Sequence, residues 1–308
     1  MPPDPTPQTT RAVLWSIGTL ATPMLLGQAG QVLLQLTDTV MLGHLGAIPL
    51  AATSLAGNFV MFALYFAYGS LGAVAPRAGG AFGAGDLPGL NAIARAGAVL
   101  GLAVGVIVAA ALTAVVPFLG QMGQPREVTD IVGGYFLLIA WSMPGAMLSV
   151  VLGQMAESVN RPWPVLGIMA GAVLLNGLLN FLLIFGHLGF PALGIEGAGW
   201  ATLIARTTQA GALLFWIGTD RRLAPILRAG RTDRLRRKFG NLFREGLPVA
   251  GQDVLEGGSF ALGSLMLGWL GTTALAANQV TISIASLAWM FPMALATAAS
   301  VRVAQAAG

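Results

Sequence analysis

Apolar residues run along this chain in windows of about 20, long enough to cross a bilayer, and polar residues collect in the short breaks between them. The windows fall near residues 15–42, 50–76, 93–119, 131–156, 163–186, 194–219, 247–270 and 275–303. They predict an all-α polytopic membrane protein of about eight transmembrane helices. The breaks GHLGAIP, GGAFGAGDLPG, GQMGQP, NRPWP and FGHLGFPALG carry the Gly and Pro expected of turns. The opening residues, MPPDPTPQTT, read as a disordered tail and not a signal peptide, because the apolar run behind them is too long and has no small-residue cleavage pattern.

Composition agrees with the pattern. Of the 308 residues, 56% are hydrophobic and 9% charged, against roughly 25% charged in a soluble domain, and mean hydropathy is +0.76. An ordinary soluble enzyme is excluded. A net charge of +4 invites a nucleic-acid reading, but nine of the sixteen basic residues lie between Arg221 and Arg244, in one segment flanked by apolar windows. That segment predicts an amphipathic helix on an anionic inner leaflet, so the partner is the lipid bilayer and not nucleic acid. Arg11, Arg77, Arg95, Arg161 and the basic segment share one side and Arg126 lies opposite, which places the N-terminus in the cytoplasm of a multi-pass inner- or plasma-membrane protein.

The chain repeats itself. Shifted by 225 residues, Met41–Gly46 (MLGHLG) falls on Met266–Gly271 (MLGWLG), Pro23 on Pro248, Arg77 on Arg302 and Gly83 on Gly308. Fifteen of the sixty-one ungapped pairs from Pro23/Pro248 to Gly83/Gly308 are identical. Six predicted helices separate the two starts, an even number, so both copies cross in the same direction, as in transporters built from two parallel lobes. The predicted domains are a disordered stretch 1–12, a six-helix lobe 13–220, a basic linker 221–245, and the first two helices of an incomplete second lobe, 246–308. Such a chain is expected to be a C-terminally truncated piece of a twelve-helix protein, or else to self-associate to cover its missing surface.

Asp38 is the only ionisable residue between Arg11 and His44. A carboxylate at a bilayer centre costs about 2.5–3.5 kcal/mol on insertion scales, which points to function. Glu256 poses the same question in the second copy. In the repeat it pairs with Gln31, seven residues before Asp38, so the two acids share a face about 10 Å apart in height and each lobe has its own acid site. Such a carboxylate can take up a proton or ligate a hard cation such as Na⁺. Asn176 and Asn180, one turn apart in LLNGLLNFLL, could join Thr37, Asp38 and Thr39 in one polar cluster, or could equally be interhelical hydrogen-bond glue. Asp253, one turn before Glu256, is either its partner or a residue nearer the interface. Pro23 and Pro248 kink the first helix of each copy, as a hinge or as static shaping. Met24, Met41, Met61 and Phe59, Phe62, Tyr65, Phe66 and Tyr68 could line an apolar drug pocket, though most are expected to face lipid or core.

Other chemistry is not supported. GGAFGAG at 79–85 lacks the Lys-Ser/Thr of a phosphate loop and follows no strand. His44 and His187 are too few for a metal centre, cysteine is absent, and no hydrolase constellation can be drawn. No cofactor is expected. Without machinery for ATP hydrolysis, pumping would draw on a Na⁺ or H⁺ gradient.

The segments QLTDTVMLGHLG (35–46), NGLLNFLLIFGHLGFPALGIEGAGWAT (176–202), LPVAGQDVLEGGSFALGSLMLGWLG (247–271) and AANQVTISIASLAWMFPMALATAASVRVAQAAG (276–308) resemble the multidrug and toxic compound extrusion (MATE) transporters. The resemblance implies secondary active antiport of amphipathic drugs and organic cations against Na⁺ or H⁺. It implies an acid on the first helix for coupling, matched by Asp38, and helix-five asparagines beside it, matched by Asn176 and Asn180. An acid on the seventh helix marks the NorM-like branch, and Glu256 matches it. Members run about half as long again, so a further acid on their tenth helix has no counterpart here. Two other readings are a lipid-linked sugar flippase of related architecture, which should have a basic cavity, and a transport-inactive fragment or assembly subunit.

Overall fold

The computed structural model describes residues 10–121, 125–221, 223–224, 235–269 and 272–308. Among them are nine α-helices and no strand: α1 (Thr10–Gly43), α2 (Ala47–Leu71), α3 (Val74–Gly83), α4 (Leu87–Val115), α5 (Arg126–Ser158), α6 (Pro162–Phe185), α7 (Ile195–Thr219), α8 (Leu235–Trp269) and α9 (Thr272–Ala307). By length and composition, Ala47–Gly83, Leu87–Gln121, Arg126–Ser158 and Pro162–Phe185 can each cross a membrane.

Local chemistry sets the boundaries. Asp86 caps α4 by accepting from the Gly89 N–H at 2.9 Å, with Pro88 in the first turn. α6 opens on Pro162 and stops at Gly186, whose left-handed backbone (φ 73°, ψ 36°) is open to glycine at little cost. The single window predicted over 50–76 is two helices, α2 and α3. Pro76 has no N–H to give the Gly72 carbonyl, and the chain tightens there into a three-residue bond from Gly72 N–H to the Gly69 carbonyl at 3.0 Å.

α5 is the most enclosed of the four spans, with Phe136, Met143 and Met147 fully buried. It packs on α4 and α7, and small residues allow the approach. Gly101 and Gly105 of α4 lie on the Met147 and Pro144 backbone of α5, and Gly197 of α7 lies on the Leu183 carbonyl of α6. α8 packs on α2 and α4, and α9 on α3 and α1, more than on each other. The basic segment departs from a separate surface helix where it is described. From Leu235 onward it is the start of α8, with Leu242 buried and Phe239 and Phe243 against the core. Residues 222 and 225–234 of that segment, and residues 1–9 of the tail, lie outside the described residues.

Ion pairs gather the polar ends. Arg77 on α3 binds Glu245 on α8, and Arg161, between α5 and α6, binds Asp220 after α7. Arg126 sits at the opposite end of α5 from this cluster. The Arg77 hydrogen bond holds the Glu245 carboxyl below its usual range, so the pair persists above that range and weakens as the carboxyl protonates on acidification.

A Cβ on Gly197 would lie 2.5 Å from the Leu183 carbonyl oxygen, whereas one on Gly167 meets nothing within 4 Å. Gly197→Val is expected to destabilise by about 1–3 kcal/mol and to lower the thermal midpoint in detergent. Gly167→Ala should leave that midpoint unchanged or raise it. Equal midpoints for Gly197→Val and the parent would contradict the packing.

Candidate functional site

Asp38 lies near the end of α1, where it meets α6. Asn180 donates from Nδ2 to Asp38 Oδ1 at 2.5 Å and to Asn176 Oδ1 at 3.0 Å. Asn176 in turn donates to Thr202 Oγ1 on α7 at 3.4 Å, and both asparagines are buried. Turning the Asn176 amide over exchanges its bond from Asn180 for one from its own nitrogen to Asp38 Oδ1 at 3.1 Å, with its carbonyl accepting from Thr202 N–H at 3.3 Å. Either way one carboxylate is met by amides of α6 while α7 closes the chain of bonds. The i, i+4 spacing of Asn176 and Asn180 puts both on the stripe that faces α1.

One polar atom in this cluster has no partner. Asn180 Oδ1 is buried without a hydrogen bond. A buried acceptor left unpaired is costly, about 1–3 kcal/mol, and a bound cation or a proton donor would satisfy it. The oxygens of Asp38, Asn180 and Thr202 are of the kind that hard cations take as ligands.

Asp38, Asn176 and Thr202 line an open cavity of about 380 Å³ between α1, α5, α6 and α7, with Tyr68 of α2 and Thr297 of α9 also in its wall. Pro162 and Asn176 both line it, fourteen residues apart on α6, or about 21 Å of helix. Its far end carries Gln28, Gln154 and Glu157. Arg206 is also in the wall and acts on Asp38 electrostatically. Its Nη1 donates to Ser142 Oγ at 2.8 Å and lies 4.0 Å from Met143 Sδ.

The structure therefore joins Asp38, Asn176 and Asn180, and adds Thr202, Arg206 and Glu157, which the sequence had not marked as site residues. Thr202 and Arg206 lie one turn apart on α7, and that polar stripe was the signal available. Thr37 and Thr39 flank Asp38 with exposed side chains and do not line the cavity. Glu256 is exposed and Asp253 half-buried, on the part of α8 that meets α2, where Gly257 lies against Tyr65 and Gly69 against Asp253. Neither acid lines the cavity. Pro23 does line it, and both α1 and α8 continue as helix through Pro23 and Pro248. Of the candidate pocket residues, Met24 and Tyr68 are in the wall, Met41, Phe59 and Phe66 pack on the core, and Met61 and Phe62 are exposed. His44 Nδ1 is 2.7 Å from the Val40 carbonyl and His187 stacks on Phe181, both local contacts. Among the described residues no His, Asp and Glu cluster could hold a multivalent metal.

A family model described as MatE matches residues 23–182 and 248–308. Its two segments begin 225 positions apart, the offset of the internal repeat. A relative from Rhodopseudomonas palustris, named as a probable multidrug resistance protein NorM, is 37% identical over 294 residues, covering 94% of this chain and 61% of its own length. A protein of the same name from Bradyrhizobium diazoefficiens is 33% identical over 293 residues, covering 94% of this chain and 62% of its own. The chain thus spans a little under two thirds of the curated relatives it matches. Among solved structures, the eukaryotic MATE transporter AtDTX14 superposes with a TM-score of 0.83 at 23% identity, over 95% of this chain and 65% of that one. A mutant of the Vibrio cholerae MATE transporter VcmN gives 0.82 at 21% identity, over 94% and 65%. These two likenesses speak to the fold.

A double-mutant cycle of Asp38→Asn and Asn180→Ala, read by thermal unfolding near neutral pH, is expected to give a coupling of about 1–3 kcal/mol, as for a hydrogen bond to a charged group. Additive effects would show that the two side chains do not act together.

Proposed function

The chain belongs to the MatE family, and on that premise we propose that it works as part of a secondary active exporter. The exporter moves amphipathic or cationic organic compounds out of the cell against an inward flow of Na⁺ or H⁺. The NorM names of the curated relatives support multidrug export as the activity. The observation that carries the coupling role is the placement of Asp38, a half-buried carboxylate in the wall of an open cavity, held by the amide of Asn180 and beside a buried acceptor without a partner.

The chemistry is an exchange at one carboxylate. With no cation bound, Asp38 draws on the amide donors of α6 and on the field of Arg206 across the cavity. A proton or Na⁺ arriving at Asp38 removes its need for those donors and frees the amides to rotate, so that an oxygen of Asn180 or Asn176 can face the cation. That switch changes how α1, α6 and α7 are tied together, and a helix carrying Pro23 can bend in response. Asn176, Asn180 and Thr202 position the carboxylate and supply oxygens. Glu256 and Asp253 form a separate acid site on α8. No bond is made or broken in the cargo, so the protein is a carrier and not an enzyme.

Chain orientation follows the same reading, with the cluster of Arg77, Arg161 and the start of α8 on the cytoplasmic side of a multi-pass membrane protein. A flippase for lipid-linked sugars is less well supported. The cavity wall holds two acids, Asp38 and Glu157, and a single base, Arg206.

In proteoliposomes carrying an imposed Na⁺ or proton gradient, Asp38→Asn is expected to lower gradient-driven efflux of a fluorescent organic cation such as ethidium by about tenfold or more, the scale of losing one interaction with a charged group. Membrane insertion should be unchanged. Efflux at the parent rate would remove Asp38 from the mechanism.

A further inference from the structure

Arg77 and Arg302 stand 225 positions apart, the offset of the repeat. In the fold each reaches the first helix of the opposite copy. Arg77 on α3 donates from Nε to Glu245 Oε2 at 2.8 Å and from Nη2 to Oε1, a two-point ion pair with α8. Arg302 on α9 donates from Nη2 to the Ser16 carbonyl of α1 at 3.4 Å and from Nη1 to Gln305 at 3.1 Å. Ser16 moved by the offset is residue 241, one turn before Glu245. The two reaches are therefore related by the axis that relates the copies.

Their partners are unequal. The counterpart of Glu245 in the first copy is Leu20, and among the described residues Arg302 meets no carboxylate and its Nε is buried without a hydrogen bond. One arginine closes an ion pair and the other rests on a backbone oxygen.

Between the two arginines the copies touch backbone to backbone. A Cβ on Gly83 would lie 2.0 Å from the Gln305 carbonyl oxygen, and one on Gly308 2.0 Å from that of Gly80. Gly83 and Gly308 are themselves repeat mates, as are Gly80 and Gln305. Gln305 then donates to the Ser158 carbonyl at 2.7 Å, which ties the end of α9 to α5. On the α8 side, Gly246 lies on the Ser70 backbone and Gly69 on that of Ala250. Asp38 is twenty-two residues up α1 from Ser16, about 33 Å of helix away. The glycine backbone contacts between the copies thus fall at the end remote from Asp38.

We infer that the Arg77–Glu245 pair and the glycine seam beside it form a latch that holds the two copies together at this end, with Arg302 as its weaker half. A transporter that opens alternately to its two sides must release such a contact once per cycle. The glycines make the closed seam tight, and the ion pair sets how often it parts. Because the pair is exposed, its removal should shift the balance modestly and not unfold the chain. The latch rests on the exporter reading, but its test reads access to a closed interface and not transport. A failure at Asp38 and a failure of the latch are therefore separable.

The chain has no cysteine, so Ala298→Cys places a single thiol in this interface, where Ala298 is fully buried against Leu20 and Ala21. The measurement is the rate of maleimide labelling of the full chain in lipid nanodiscs. In this background Arg77→Gln and Glu245→Gln are each expected to speed labelling about threefold, the scale of an exposed ion pair. The exchange of Arg77→Glu with Glu245→Arg should bring the rate back toward that of the parent. Rates unchanged by either single substitution would overturn the latch. So would an exchange variant labelled as fast as the single variants.

Discussion

A carboxylate that has to be kept among apolar helices constrains everything around it. Asp38 carries an insertion cost of about 2.5–3.5 kcal/mol if left alone at the bilayer centre. The fold answers by bringing α6 against α1 so that the amide of Asn180 meets the acid and that of Asn176 stands behind it. Thr202 then fastens α7 to the same chain of bonds. Three helices are thereby tied by one chain of hydrogen bonds that ends on the acid. The arrangement is unfinished in one respect, since Asn180 Oδ1 is buried without a partner. That oxygen is an unmet acceptor that an incoming cation or proton donor would satisfy.

The two acids set in apolar windows end differently for a physical reason. Asp38 and Glu256 look alike when each helix is considered alone, because the insertion cost is a property of the isolated span. Packing separates them. Asp38 is drawn into a cavity between four helices, while Glu256 stays exposed on α8, outside that cavity. Charge in an apolar window marked both residues but could not say which of them would line a cavity.

Much of the architecture was legible in hydrophobic periodicity. The windows over 93–119, 131–156 and 163–186 contain the cores of α4, α5 and α6, because long apolar spans between Gly and Pro turns leave few alternatives. The i, i+4 asparagines were also legible. The split of the second window was missed because hydropathy does not register the N–H that Pro76 lacks. Arg206 and Thr202 were missed as site residues because their role depends on α5 and α6, which supply Ser142 and Asn176 as partners. The repeat was readable at sequence level, yet its consequence was not. Only the fold shows that Gly83 and Gly308, matched by offset, also touch through the chain around them.

On the exporter reading, cation and cargo are coupled through Asp38. The most direct test of that coupling is ion release: the purified chain in nanodiscs, equilibrated with Na⁺ in one series and in weakly buffered medium in another, is titrated with a cargo such as ethidium. A Na⁺-selective electrode or a pH indicator records what leaves. Release of Na⁺ or protons on cargo binding is expected from the parent and none from Asp38→Asn. Release of equal size from Asp38→Asn would contradict the coupling.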